Sequence, residues 1–189
     1  MILPITLYGQ PVLRKQGRPV GADMPGLQQL IDNMFETMYH ASGVGLAAPQ
    51  IGQDLLLFVV DAAAMAESTE DTEEQTFLKT YRRVVINPEL VHESGKPWGF
   101  QEGCLSIPGI RETVHRQPDI EVRYLDQNFQ PQHEQLTGLA ARVFQHEYDH
   151  IRGVLFTDHL SPLRKQLLRP KLSRMAKHGA EPGYPVVLP

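Results

Sequence analysis

The chain has 189 residues, a formal net charge of −4 and 41% hydrophobic residues, a composition typical of a globular protein with one core. This balance argues against a DNA-binding protein, which is usually basic. We find no apolar run as long as a membrane span and no signal-peptide pattern at the N-terminus. The single cysteine excludes an intrachain disulfide. Together these features predict a cytoplasmic protein without a DNA or membrane partner.

The first half of the chain predicts a helix and then a strand. Apolar residues recur at helical spacing over residues 25–41, between a starting proline and a terminating glycine. The following GVGLAAPQIG segment is loop-like at both ends, and we expect a strand over residues 55–61. Residues 62–80 are polar and acidic in their middle, so we predict a solvated surface loop, with an acidic insertion at about 66–76.

The second half predicts more strands and two further helices. We expect strands over residues 84–88, 89–93 and 120–126, and a long helix from Thr137 to Arg152. Another helix starts at Ser161 and Pro162, a favourable cap followed by proline in the first turn.

The basic helix and a strand-like tail occupy residues 161–189, and Pro170 is expected to kink or split the helix. No repeat or linker divides the chain, so we predict a single catalytic domain over residues 1–189. The predicted fold class is α+β, with mixed or antiparallel strands around a central helix that carries an H-E-x-x-H motif.

The H-E-x-x-H motif begins at His146 and predicts a metal site. On a helix, His146 and His150 lie one turn apart on the same face, and Glu147 is placed to reach whatever the shared ion binds. Both histidines continue an apolar stripe that starts at Leu139 and Val143. Inward-facing imidazoles need partners, which makes a chance motif on a surface helix the weaker interpretation.

Two histidines leave the coordination of an ion incomplete. The metzincin extension fails because Phe156 stands where its third histidine would be. The remaining candidate is Cys104, since a thiolate is a strong ligand for zinc or ferrous iron. A buried inert cysteine is the alternative from pattern alone. Three protein ligands would leave one open position, which is typical of a catalytic site.

Three motifs together resemble peptide deformylase, the enzyme that removes the formyl group from the initiating methionine of bacterial proteins. They are GVGLAAPQ (43–50), EGCLS (102–106) and QHEYDH (145–150), in the order of that family. The resemblance runs from about residue 2 to residue 165. It implies the α+β fold of the family, Cys104 as the third metal ligand, and N-formylmethionyl peptides or nascent chains as substrates.

The resemblance also implies roles for individual residues. Glu147 would act as the acid and base, while the Gln50 side-chain amide and the Leu105 backbone N–H would stabilise the oxyanion. Gly45 would let the substrate backbone pair like an added strand. We predict that the substrate contacts Gly43, Val44, Gly45, Val143 and Leu139. The charge of the neighbouring Arg142 is expected to point outward.

The ligand set suits one divalent ion, Fe²⁺ or Zn²⁺, and the resemblance favours Fe²⁺. The basic segment 164–177 predicts a solvated helix face, with contact to the ribosome as a second hypothesis. Competing functions are a metallopeptidase, a thiol hydrolase with Cys104 as nucleophile, and a non-catalytic module with a structural metal. Each differs from a deformylase in its metal dependence or its product.

Overall fold

The structure is a computed structural model that describes residues 1–188. Within them, the helices are α1 Leu27–His40, α2 Thr72–Leu78, α3 Gly138–Ile151 and α4 Pro162–His178. The strands are β1 Ile5–Thr6, β2 Gly45–Ala47, β3 Leu57–Asp61, β4 Arg82–Ser94, β5 Trp98–Cys104, β6 Ile107–Arg116, β7 Asp119–Leu125, β8 Pro131–Leu136 and β9 Val186–Val187.

A five-stranded antiparallel sheet forms the centre of the fold. Its strand order is β2-β3-β4-β7-β8, which leaves β2 at one edge. β5 and β6 form a separate antiparallel ribbon, and the short β1 and β9 pair in parallel. The fold is therefore α+β, as predicted.

Helices α1 and α3 cover opposite faces of this sheet. Along β3, Phe58 points into the cluster shared with α3, whereas Leu57 and Val59 belong to the cluster shared with α1. Phe58 meets Phe144 of α3 edge to face, with ring centroids 5.0 Å apart. Burial on both faces explains why this strand is a continuous apolar run instead of an alternating one.

The strands predicted at 84–88 and 89–93 are one strand. β4 runs through both and shifts register between Ile86 and Glu89 and again between Leu90 and His92. Asn87 has a positive φ of 50° at the first shift. The irregularity bends the strand without ending its pairing, so the prediction of two strands was wrong.

The prediction of a solvated loop over residues 62–80 was also wrong. A 3₁₀ helix, Ala63–Ser68, is followed by α2, whose first turn is capped by the Asp71 carboxylate. Ala66 and Leu78 are buried in the main core on either side of the acidic stretch. The apolar residues at both ends dock this segment onto the protein, while most of its acidic side chains stay exposed.

The C-terminal part contains α4, which continues through Pro170, and the tail that carries β9. Of the two outcomes expected at Pro170, a kink or a split, the continuous helix excludes the split. Pro170 removes one backbone hydrogen bond and its ring crowds the carbonyl four residues earlier, but these local effects do not end the helix. The last residue of the predicted tail, Pro189, lies outside the described residues. Among the described residues, no helix combines the length and apolar character needed to cross a bilayer.

Candidate metal and catalytic site

Three segments that are distant in sequence line one cavity of about 850 Å³. The helix α3 contributes its inward face, the end of β5 contributes Cys104, and the segment 42–50 contributes β2 and the following turn. Antiparallel pairing of β2 with β3 fixes the segment 42–50 at the edge of the sheet that α3 covers. The sheet and the ribbon thus bring the three motifs of the sequence to one place.

Cys104, His146 and His150 form a group whose ligand atoms all lie within 4.8 Å of one another. The Cys104 Sγ is 3.1 Å from the His150 Nε2. Nδ1 of His146 is 2.9 Å from a carboxylate oxygen of Glu102, which leaves its Nε2 for the group. A thiol and two imidazoles at this spacing match the donors that Zn²⁺ and Fe²⁺ accept. The residues therefore fit a single divalent ion.

Glu102 organises a buried charge cluster behind the histidines. Its carboxylate accepts two hydrogen bonds from Arg116, at 2.7 and 3.0 Å, and one from Arg142 at 3.0 Å. Burial alone would raise the pKa of Glu102, but the hydrogen bonds with His146 and Arg116 outweigh it and lower the pKa well below its usual range. An ionised Glu102 fixes the ring orientation of His146, as carboxylates beside ligand histidines do.

Arg142 points inward, so the expectation of an outward charge was wrong. It is 2% exposed and donates to the backbone carbonyls of Val114 and Trp98, both at 2.8 Å. Its guanidinium also lies 4.4 Å from the centre of the Trp98 ring. Burial lowers the pKa of Arg142, which the hydrogen bond with Glu102 opposes. The ribbon of β5 and β6 supplies these partners, and the sequence pattern had not predicted that ribbon.

Glu147 is 3% exposed and lies beside the group of three ligands. Among residues 1–188, no hydrogen bond reaches its Oε2. Burial raises the pKa of this carboxyl to about 7. A Cβ placed on Gly45 would lie 2.7 Å from the Glu147 Cδ, so only glycine leaves room for the carboxylate there.

Gln50 and Leu105 flank Cys104 from two sides. The Gln50 Oε1 accepts a hydrogen bond from the Ala47 N–H at 2.8 Å, which directs its Nε2 toward Cys104 Sγ at 3.5 Å and Ser106 Oγ at 3.3 Å. Leu105 follows Cys104 in the turn between β5 and β6 and lines the cavity. Both predicted donors therefore border the site.

The predicted substrate contacts divide into two groups. Gly43, Val44, Gly45 and Val143 all line the cavity. Leu139 is buried in the main core cluster with Val143, where it contacts the interior of the protein.

Comparisons with known proteins identify the family. The profile of the polypeptide deformylase family matches residues 2–166. The chain belongs to this family. A peptide deformylase from Christiangramia forsetii is 52% identical over 178 residues, which are 94% of this chain and 91% of the relative. Another from Salinibacter ruber is 49% identical over 187 residues, 99% of this chain and 95% of the relative.

Solved structures of peptide deformylases share the fold. The enzyme from Thermus thermophilus matches with a TM-score of 0.78 and 42% identity over 94% of this chain and 99% of its own. The enzyme from Legionella pneumophila matches with a TM-score of 0.77 and 41% identity over 93% of this chain and 95% of its own. The predicted function is thereby confirmed: this deformylase is a hydrolase that removes the N-formyl group from newly made polypeptides.

Several residues that surround the deformylase site were not predicted from the sequence. Met65 and Ser68 line the cavity from the segment predicted as a loop, and Pro182 and Tyr184 line it from the tail. Glu102 lies inside the EGCLS motif, which was the signal that could have found it. Nothing in the local sequence of the tail indicates that it returns to the cavity.

Proposed function

We propose that Cys104, His146 and His150 hold one divalent metal ion at which the formyl amide is hydrolysed. The observation that supports this most directly is the convergence of their ligand atoms within 4.8 Å, next to the buried Glu147. A bound ion would act as a Lewis acid that polarises the formyl group and lowers the pKa of water.

Glu147 is the acid and base of the proposed reaction. Its carboxylate takes a proton from the attacking water and delivers one to the nitrogen of the breaking C–N bond. Water thus adds to the formyl carbon, and the products are formate and a free N-terminal methionine. The absence of a protein hydrogen bond to Oε2, among the described residues, leaves that oxygen available for this transfer.

Gln50 and Leu105 are the proposed donors to the oxyanion of the tetrahedral intermediate. The Gln50 amide is buried and held at its oxygen by Ala47, which keeps its Nε2 next to the Cys104 Sγ at the border of the site. Within residues 1–188, the Leu105 N–H makes no hydrogen bond, and it remains free to donate. Donors that are already oriented stabilise the transition state more than donors that must be recruited.

The outer edge of β2 is the proposed binding surface for the peptide backbone. β2 is an edge strand, and Gly43, Val44 and Gly45 form a wall of the cavity. An extended peptide can add to such an edge through main-chain hydrogen bonds. Val44 and Val143 would then contact the methionine side chain, with Leu139 beside Val143 in the core.

Fe²⁺ is the proposed native ion because the resemblance to the deformylase family favours it. Zn²⁺ would fit the same donors. We expect metal-free protein reconstituted with Fe²⁺ to release formate from an N-formylmethionyl tripeptide faster than protein reconstituted with Zn²⁺. The N-acetyl peptide, which should not be cleaved, is the control. Formate release by the metal-free protein would refute the metal-dependent reaction. Faster release with Zn²⁺ than with Fe²⁺ would refute the preference for iron.

Contact of α4 with the ribosome is a second proposal, and we place the enzyme in the cytoplasm, where nascent chains emerge. Two of the six cations on this helix already have protein partners: Arg164 pairs with Glu112, and Lys171 donates to the Gly109 carbonyl. The exposed remainder are Lys165, Arg169, Arg174 and Lys177. Replacing these four by glutamine should weaken ribosome binding and reduce its salt dependence. Unchanged, salt-insensitive binding would contradict the proposal.

A further inference from the structure

The C-terminal tail returns to the active-site cavity from outside the region that matches the family profile. That match ends at residue 166, whereas Pro182 and Tyr184 line the cavity. Pairing of β9 with β1 anchors the tail, and the Ile5 N–H donates to the Pro185 carbonyl at 2.9 Å. Tyr184 is half-buried and packs against the core cluster that contains α1. These contacts therefore fix the tail next to Tyr184, which borders the cavity.

The Tyr184 hydroxyl donates a hydrogen bond to the Leu105 carbonyl at 2.7 Å. Leu105 is in the turn between β5 and β6, and its N–H is a proposed oxyanion donor. The hydrogen bond fixes the carbonyl end of the same residue whose N–H faces the site. A phenol is protonated at neutral pH, so the donor is present under working conditions.

Other contacts hold Ser106, the second residue of this turn, and within residues 1–188 none of them reaches the Leu105 carbonyl. The Tyr8 N–H donates to the Ser106 carbonyl at 2.8 Å, and the Gln50 amide reaches the Ser106 hydroxyl at 3.3 Å. Loss of the Tyr184 hydroxyl would free the Leu105–Ser106 peptide group. The adjoining Cys104–Leu105 peptide, which carries the proposed donor N–H, would then be held only from the side of Cys104 in β5, and the donor would become more mobile.

We propose that Tyr184 is a positioning residue that orients the backbone of Leu105 for catalysis. It acts through Leu105 and does not touch the reacting atoms. The inference rests on the proposed function, in which the Leu105 N–H stabilises the oxyanion. It assigns a part in the reaction to the C-terminal tail.

The test is Tyr184→Phe in the full-length, metal-loaded enzyme, with formate release and amide hydrogen exchange as readouts. This change removes the hydroxyl and keeps the ring. We expect kcat to fall about five- to tenfold with KM nearly unchanged, less than the roughly 100-fold loss when an oxyanion donor itself is removed. Amide exchange in the segment 104–106 should become faster. Substitution by p-aminophenylalanine, which retains a donor, should restore both values.

Tyr39→Phe is the matched control, because the Tyr39 hydroxyl donates to Asp61 at 2.6 Å on the protein surface and should not affect kcat. An unchanged kcat in Tyr184→Phe, a rise in KM alone, or failure of p-aminophenylalanine to restore the rate would each overturn the inference. Gln50→Ala in the same assay separates the two proposals. If Gln50→Ala retains full kcat, the proposed oxyanion site is contradicted. If Gln50→Ala loses activity but Tyr184→Phe retains full kcat, only the role of Tyr184 is contradicted.

Discussion

At the scale of single residues, Gly45 has two uses, of which the sequence indicated one. The motif predicted that a missing side chain would let the substrate backbone approach. The structure adds that the space of a Cβ is already occupied by the Glu147 carboxyl group. Gly45 therefore contributes to the placement of the proposed acid and base as well as to the proposed binding edge.

Gly45→Ala should lower kcat on the order of 100-fold, since a displacement of about 1 Å at a reacting group has effects of that size. The metal content should stay at the wild-type value because no ligand moves. Gly21→Ala is the control: its Cβ would also meet a carboxylate, that of the exposed Asp23, far from the cavity. Steady-state kinetics and metal analysis of both variants check this, and wild-type kcat in Gly45→Ala would contradict the steric argument.

The proposed metal ligands could be named from local patterns, whereas the inward orientation of Arg142 could not. His146 and His150 are one helical turn apart, and EGCLS places Cys104 in a recognisable motif. Arg142 looked like a surface residue because its partners, Glu102 and two carbonyls of the ribbon, come from distant sequence. Sequence spacing carries no information on such pairing.

At the scale of secondary structure, the acidic segment supports α3, the helix that carries two of the proposed metal ligands. The Glu74 carboxylate in α2 accepts a hydrogen bond from the Leu139 N–H at 2.7 Å. Leu139 lies in the first turn of α3, where backbone N–H groups lack partners within the helix. A carboxylate at that end also interacts favourably with the helix dipole. The segment predicted as a solvated loop is thus a cap for α3.

Glu74→Ala should reduce the free energy of unfolding by about 1 kcal/mol, the usual contribution of a helix cap. Urea denaturation of the metal-loaded protein measures this. The neighbouring Glu73→Ala is the control, because Glu73 is exposed and outside the cap. Equal stability of the two variants would show that Glu74 does not stabilise α3.

The elements that were predicted well have strong periodicity of their own. The helix expected over residues 25–41 is Leu27–His40, and the one expected from Thr137 to Arg152 is Gly138–Ile151. β6 was missed because its inward positions include the charged Glu112 and Arg116. β8 was missed because most of its residues are exposed or only partly buried. Such strands depend on pairing with distant partners, which a local pattern does not reveal.

At the scale of the whole molecule, the cavity is built from residues between Ser42 and Tyr184. The motif residues that line it were named from the sequence, because chemistry restricts their types. The parts of the cavity wall formed by the Ala63–Ser68 helix and by the tail were not named from the sequence, because their position depends on how the chain folds back on its core. The sequence thus predicted the chemistry of the site better than the shape of the cavity.

The most direct test of the account is formate release from an N-formylmethionyl peptide by Glu147→Gln, compared with the wild type at equal metal content. Glutamine keeps the size of the side chain and removes its capacity to accept the proton of water. We predict that the variant binds one metal ion per chain, as the wild type should, and that formate release falls by at least about 100-fold. Formate release at the wild-type rate by the metal-loaded variant would contradict the proposed role of Glu147 beside Cys104, His146 and His150.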